Sequence, residues 1–230
     1  MEGRYSPGIW VELTDCTDPT REAEFNRWYD KTYIPHMEDL GFVRNSKRYE
    51  NARSNEPTFL GRPKYLTLAE VYRSDLEQAG KDIRISITEL QTRGQGFDAM
   101  AAKMDTLYRR TGPEFRSERT GKPIQAIFCA LVACNDQARE EEFNRWYNEK
   151  HSLETLESGL FDTGYRYKVV DPHDPMPHQS APYASLYETS ADPLTVLEAI
   201  PGLRRERLSD SLYVGLLSIY YGALFRPICH

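Results

Sequence analysis

The hexapeptide Glu24-Phe25-Asn26-Arg27-Trp28-Tyr29 recurs as Glu142 to Tyr147, 118 positions further on. A Trp-containing hexapeptide does not repeat by chance in 230 residues. The same offset pairs Leu13 with Leu131, Cys16 with Cys134, Asp18 with Asp136 and Arg21 with Arg139. Downstream it pairs Gly41 with Gly159, Arg48 with Arg166, Tyr49 with Tyr167, Tyr65 with Tyr183 and Glu70 with Glu188. No gap is needed from about residue 11 to about residue 76. The chain is therefore expected to be two fused copies of one unit, 1–118 and 119–230. Phe115-Arg116 and Phe225-Arg226 suggest that the copies converge again, the second being about eight residues shorter.

Each copy matches the common domain size of about 100–150 residues. The period is too long for a solenoid, whose repeats run about 20–50 residues. A net charge of −6 argues against a nucleic-acid surface, which needs a basic stripe. The longest apolar runs, such as Ile124 to Cys134 and Leu212 to Leu217, are strand-sized. None approaches the ~20 residues of a membrane span. The N-terminus lacks the layout of a signal peptide. Cys16, Cys129, Cys134 and Cys229 show no CxxC spacing, so reduced thiols and a cytoplasmic location are expected.

One repeat reads as follows. Pro7 to Thr14 and Ile124 to Ala133 are short β-rich runs. Asp18 and Asp136 then precede helices expected from about Arg21 to Leu40 and from about Arg139 to Ser158. Phe25, Trp28, Tyr29 and Thr32 share one helical face, as do Phe143, Trp146, Tyr147 and Lys150. Gly41 and Gly159 mark helix stops. A strand ends at Arg48-Tyr49 and at Arg166-Tyr167. Polar, Pro-bearing loops follow, Asn51 to Lys64 and Asp171 to Pro182. Third strands are expected at Tyr65 to Tyr72 and Tyr183 to Thr189. Second helices are expected at Asp75 to about Thr92 and Pro193 to about Leu203. Last strands are expected near Met104 to Arg110 and Leu216 to Phe225. Pro35 predicts a kink in the first helix.

The order is βαββαβ, a ferredoxin-like α+β unit with both helices on one face of its sheet. The open face needs a partner, and a duplicate supplies it in cis. An intramolecular pseudo-two-fold α+β barrel with helices outside is the expected architecture. A homodimer of the fused chain is left open.

The string EFNRWY, a His five residues after the Trp, then GF or GL, then a strand ending in RY, resembles the EthD-type dimeric α+β barrel family. The second copy carries the whole pattern: Glu142 to Tyr147, His151, Gly159-Leu160 and Arg166-Tyr167. The first departs at the His position, where Tyr33 stands, and has His36 three residues later. The resemblance implies cofactor-free chemistry on small molecules. Such relatives include cyclases, isomerases, decarboxylases and cofactor-free monooxygenases, so the reaction stays open.

His151 is the leading candidate catalytic residue. It lies four residues after Tyr147, on the same helix face. A neutral imidazole can take an acidic carbon or phenol proton without a cofactor. The plainer alternative is a histidine that only bonds a neighbouring strand. Tyr33, its counterpart, is a poor base but a good donor. Glu188 and Glu70 sit mid-strand among apolar neighbours. In a helix-covered cleft such a carboxylate would gain basicity and orient the histidine. The alternative is a barrel-interior glutamate paired with Arg48 or Arg166. Asn144, Tyr167, Tyr183, Tyr33 and His36 are candidate substrate-binding residues, and Trp28 and Trp146 are expected in the core.

The segment Asp171 to His178 holds His173 and His178, but its spacing matches no zinc pattern. A lid or entrance wall is the better reading. No metal, cofactor or nucleic-acid partner is expected. No dinucleotide, P-loop, nucleophile-elbow or zincin motif occurs. The expected function is acid–base catalysis of cyclase, isomerase or lyase type on a small, largely apolar aromatic or polyketide-like substrate. The alternatives are a cofactor-free monooxygenase and a non-catalytic small-molecule binder. One competent cavity per chain is expected, in the second repeat, with the equivalent space in the first partly filled by Tyr33.

Overall fold

A computed structural model describes residues 1, 4–53, 62–113, 115–118, 121–171 and 181–228. His173, His178, Cys229, His230 and most of the two Pro-bearing loops lie outside the described residues.

The first repeat supplies β1 (Gly8–Cys16), α1 (Glu22–Trp28), α2 (Ile34–Glu38), β2 (Val43–Asn51), β3 (Tyr65–Val71), α3 (Leu76–Thr92) and β4 (Met100–Arg110). A short β5 (Phe115–Arg116) follows. The second supplies β6 (Ala126–Cys134), α4 (Glu140–Trp146), α5 (Ser152–Glu157), β7 (Thr163–Val169), β8 (Tyr183–Thr189), α6 (Pro193–Glu206), α7 (Ser211–Leu216) and β9 (Leu217–Pro227). Asp18 and Asp136 accept from the backbone N–H two residues on, at 2.9 and 3.0 Å. Gly41 and Gly159 end the helices with φ of 74° and 75°, where a β-carbon is disfavoured.

The strands form one antiparallel α+β barrel in the order β1-β3-β2-β9-β6-β8-β7-β4, closed by β4 on β1. The halves do not merely stack. Each last strand joins the other half's second strand: β9 bonds β2 through Tyr49 to Asn51, and β4 bonds β7 through Tyr108 to Arg110. Closure removes the free edges that each sheet would otherwise expose.

Alternation along each strand sorts side chains into two layers. Ile9, Val11, Leu13, Leu66, Leu68, Ile127, Leu131, Tyr165, Tyr167 and Leu186 fill the barrel interior. Trp10, Tyr65, Ala69 and Val71 face outward under α1 and α3, packed on Phe25, Tyr29 and Tyr33. Ala130, Val132 and Tyr183 do the same under Phe143, Trp146 and Tyr147.

Two expectations need correction. The long first helices are not regular: a π-helical turn spans Tyr29–Tyr33 and another Tyr147–His151. Pro35 does not cause it, because the second repeat has the same turn with Leu153 at that position. The apolar run from Leu212 to Leu216 lies in helix α7, just before the last strand; Asp210 caps it by accepting from Leu212 N–H at 2.9 Å. The repeats also do not reconverge at Phe115 and Phe225. Ile9 pairs with Tyr108, and its counterpart Ile127 pairs with Phe225. Phe225 therefore matches Tyr108, and Phe115 belongs to β5, which bonds β7. Among the described residues no helix is long and apolar enough to cross a membrane, and no cluster of three metal-ligating side chains occurs.

Candidate functional site

Both repeats hold a space between the π turn, the second helix and the outer face of the sheet. Their chemistry differs. In the first repeat, outward-facing Glu12 of β1 lies fully buried under the π turn. Tyr29 donates to its Oε2 at 2.5 Å and Tyr33 to its Oε1 at 2.6 Å. Thr67 donates to the Tyr29 hydroxyl at 3.0 Å. Burial raises the Glu12 pKa to about 7, against the lowering pull of the two phenols. Above this cluster runs a groove of about 430 Å³ lined by Trp28, Tyr33, Leu90, Phe97 and Met100.

In the second repeat the register places Ala130 where Glu12 stands and His151 where Tyr33 stands. A cavity of about 70 Å³ opens here, lined by Ala130, Tyr147, His151, Phe161, Tyr187 and Arg207 among others. The larger space is thus in the first repeat, contrary to expectation. Trp28 is partly exposed at the first groove, whereas Tyr187, replacing Ala69, and Tyr213 of α7 line and narrow the second.

His151 is buried and stacks among Trp146, Tyr147 and Tyr213, with ring centroids 4.9, 4.5 and 5.8 Å away. Arg207 Nη1 donates to its Nδ1 at 2.6 Å and to its carbonyl at 3.2 Å. Arginine has no acceptor, so Nδ1 must supply the lone pair and the proton sits on Nε2. Burial, then the Arg207 and Arg166 charges, drive the His151 pKa well below its usual value. His151 is therefore a neutral donor, and its basic nitrogen is occupied. The Tyr187 hydroxyl lies 3.3 Å from Ser152 Oγ, and Tyr187 is held well above the usual phenol range, chiefly by burial. Arg166 runs beneath, 4.1 Å from the Tyr147 ring and 4.7 Å from Tyr183.

Tyr147 and His151 are brought together; the other expected partners are not. Glu188 lies on the barrel-interior face, opposite the cavity, because β8 alternates. It accepts from the Met1 ammonium at 2.5 Å, Thr163 at 2.7 Å and Tyr165 at 2.8 Å. Burial pushes its pKa up, but these donors outweigh it and hold it low, so it is no base. Glu70 is likewise interior, bonded by Arg4, Asn45 and Tyr72. Neither meets Arg48 or Arg166, which point outward to Asp30 and Asn148. Tyr167 is also interior, beside Ser6, its phenol pushed far up by burial. Asn144 donates to Tyr183 at 2.9 Å, and Tyr183 donates to Glu140 at 2.6 Å, near the start of α4. That cluster is not part of the cavity lining. His36 bonds the Ser86 hydroxyl and carbonyl at 2.8 and 2.9 Å, between α2 and α3.

Glu12, Tyr187, Arg204 and Arg207 were not singled out. Glu12 had a legible signal, a carboxylate inside the apolar strand WVELT. Arg207 had none, since its reach to His151 depends on how the chain turns after α6.

No family model matches the chain, and no curated protein matches its sequence. Solved structures do match its fold. A dye-decolorizing peroxidase from Bacteroides thetaiotaomicron is 8% identical, with a TM-score of 0.62 over 98% of this chain and 94% of the other. An anthrone oxidase-like protein is 9% identical, with a TM-score of 0.59 over 100% and 94%. A variant of DypB from Rhodococcus jostii RHA1 in complex with heme is 12% identical, with a TM-score of 0.57 over 97% and 94%. Heme does not suit the residues here. A cavity of about 70 Å³ does not hold a porphyrin. An iron-ligating imidazole donates its second N–H outward, whereas His151 Nδ1 accepts from Arg207. At such identities the likeness is one of fold alone, a ferredoxin-like α+β barrel.

Proposed function

We propose that the protein is a cofactor-independent enzyme of isomerase, lyase or cyclase type, with its active site in the second-repeat cavity. The observation that carries this is His151: neutral, with Nδ1 engaged by Arg207 and no partner on Nε2 among the described residues, lining an apolar cavity beside Tyr147. Two positioned donors in a dry site favour a carbonyl oxygen as it becomes an enolate or phenolate oxygen. Of the two expected roles, base or acid, His151 takes that of the polarising acid. Among the described residues no Asp or Glu lines the cavity, so the carbon's proton passes to solvent at its mouth.

The test is solvent-deuterium exchange at the acidic carbon of aryl ketones and 1,3-diketones, followed by NMR. The wild type should accelerate exchange. His151→Ala should lose about 10²–10³-fold, the usual effect of deleting one oxyanion donor, and Tyr33→Phe much less. Exchange no faster than buffer, or equally fast in His151→Ala, ends the proposal.

A further inference from the structure

The two repeats differ in a consistent way around their helix–sheet spaces. The first places three carboxylates there: Glu12 under the π turn, Asp30 on Arg48 at 3.1 Å, and Asp105 on Arg84 at 2.9 Å. The second has none at the matching positions. The 118-residue offset puts Ala130 at Glu12 and Asn148 at Asp30. Strand register puts Gly222 at Asp105, since Glu12 pairs with Asp105 and Ala130 with Gly222.

The cations were not lost with them. Arg166 matches Arg48 and is fully buried, with Nε and Nη2 lacking partners. Arg204 lies over Gly222, its Nη2 3.2 Å from where a β-carbon would sit, and makes no ion pair among the described residues. Arg207 is an addition; its Nη1 holds His151 and lies 3.8 Å from Glu154 Oε2, while its Nε has no partner among the described residues. Ser185, in the place of Thr67, is buried with its hydroxyl unpartnered. Arg204 is exposed and Arg207 has Glu154, but Arg166 is a buried cation without close counter-charge, which is costly and is relieved by an anion.

The phenol and the ring that replace Tyr29 and Tyr33, namely Tyr147 and His151, line the space beside Ala130. In the first repeat the matching groups donate to both oxygens of one carboxylate. Taking the second-repeat cavity as the active site, we propose that its substrate carries a delocalised oxyanion head, a carboxylate or an ionised enol, which sits where the Glu12 carboxylate sits in the first repeat. Glu12 thus acts as a built-in occupant of the first site, and Ala130 leaves the second vacant. The rest of the ligand is apolar, against Phe128, Val132 and Phe161, with Arg204 and Arg207 toward the mouth.

The experiment is calorimetric titration of the full chain at pH 7 with two acid–neutral pairs. Benzoate against benzamide tests the carboxylate; 1,3-cyclohexanedione against cyclohexanone tests the enol. At least one acid should bind at least tenfold tighter than its neutral partner, with about one site per chain. Ala130→Glu, checked for folding by circular dichroism, should abolish that binding. Glu12→Ala should leave the second site intact and raise the stoichiometry toward two. Equal binding of acid and neutral forms, no binding of either acid, or undiminished binding in folded Ala130→Glu would overturn the proposal. Acid binding without deuterium exchange would discard the proposed reaction and keep the anion site. Exchange with no preference for the acids would do the reverse.

Discussion

Arg207 donates to Nδ1 of His151 at 2.6 Å across a span of 56 residues. This contact fixes the tautomer of the ring and faces its N–H, rather than its lone pair, toward the cavity. It also joins the irregular chain after α6 to the π turn of the first helical segment.

The first prediction follows from that contact. Nitrogen NMR of His151 should report the neutral Nε2–H form at pH 6, where an ordinary histidine is largely protonated. Its low pKa has burial as the largest cause and Arg207 next. Arg207→Met should therefore raise the value while leaving it below the usual one. A ring that titrates normally in the wild type would refute the assignment. Because the folded pKa is depressed, this histidine's contribution to stability is present above about 6.5 and is lost as pH falls below it.

Glu12 gives a pH effect of opposite sign. Its folded pKa is raised from 4.5 to about 7, so the native state binds more protons than the unfolded chain between those values. Stability from this group falls as pH rises through that window, by on the order of 3 kcal/mol. Thermal melts from pH 4.5 to 7.5 should show this slope in the wild type and lose it in Glu12→Gln. Parallel curves for the two proteins would mean that Glu12 ionises normally.

Asn148→Asp restores the acid that the first repeat keeps at this position. Arg166 already bonds Asn148 Oδ1 at 3.1 Å, so the geometry is in place. A charged acceptor is worth roughly 1 kcal/mol more than a neutral one. The variant should unfold at higher denaturant concentration, with an unchanged slope, and bind oxyanions more weakly. A lower midpoint would show that Arg166 is not short of negative charge.

The halves should not stand alone. Expressed as 1–118, the first repeat would bare the interior face of Val11, Leu66 and Leu68 and leave β2 without its β9 partner. Unpaired edges and an open apolar face drive association. Size-exclusion should show dimers or aggregates rather than a folded monomer, and a stable monomer would contradict the closure described here.

The duplication, the βαββαβ order and the α+β barrel were legible in the sequence, because a repeated pattern of strands and amphipathic helices reports local propensity and one buried face. The pairing of Tyr147 with His151 was legible too, since residues four apart stay neighbours even through a π turn. Three things were decided only by tertiary structure. Strand register fixes which face a mid-strand carboxylate takes, and it sends Glu188 and Tyr167 into the barrel but Glu12 outward under the π turn. Long-range contact brings Arg207 to His151, which occupies the ring's lone pair and leaves the ring a donor. The match of β4 with β9 rests on hydrogen-bond register, not on the recurring Phe-Arg pair. In each case the sequence supplied the residue, and the pleat of a closed sheet decided what it faces.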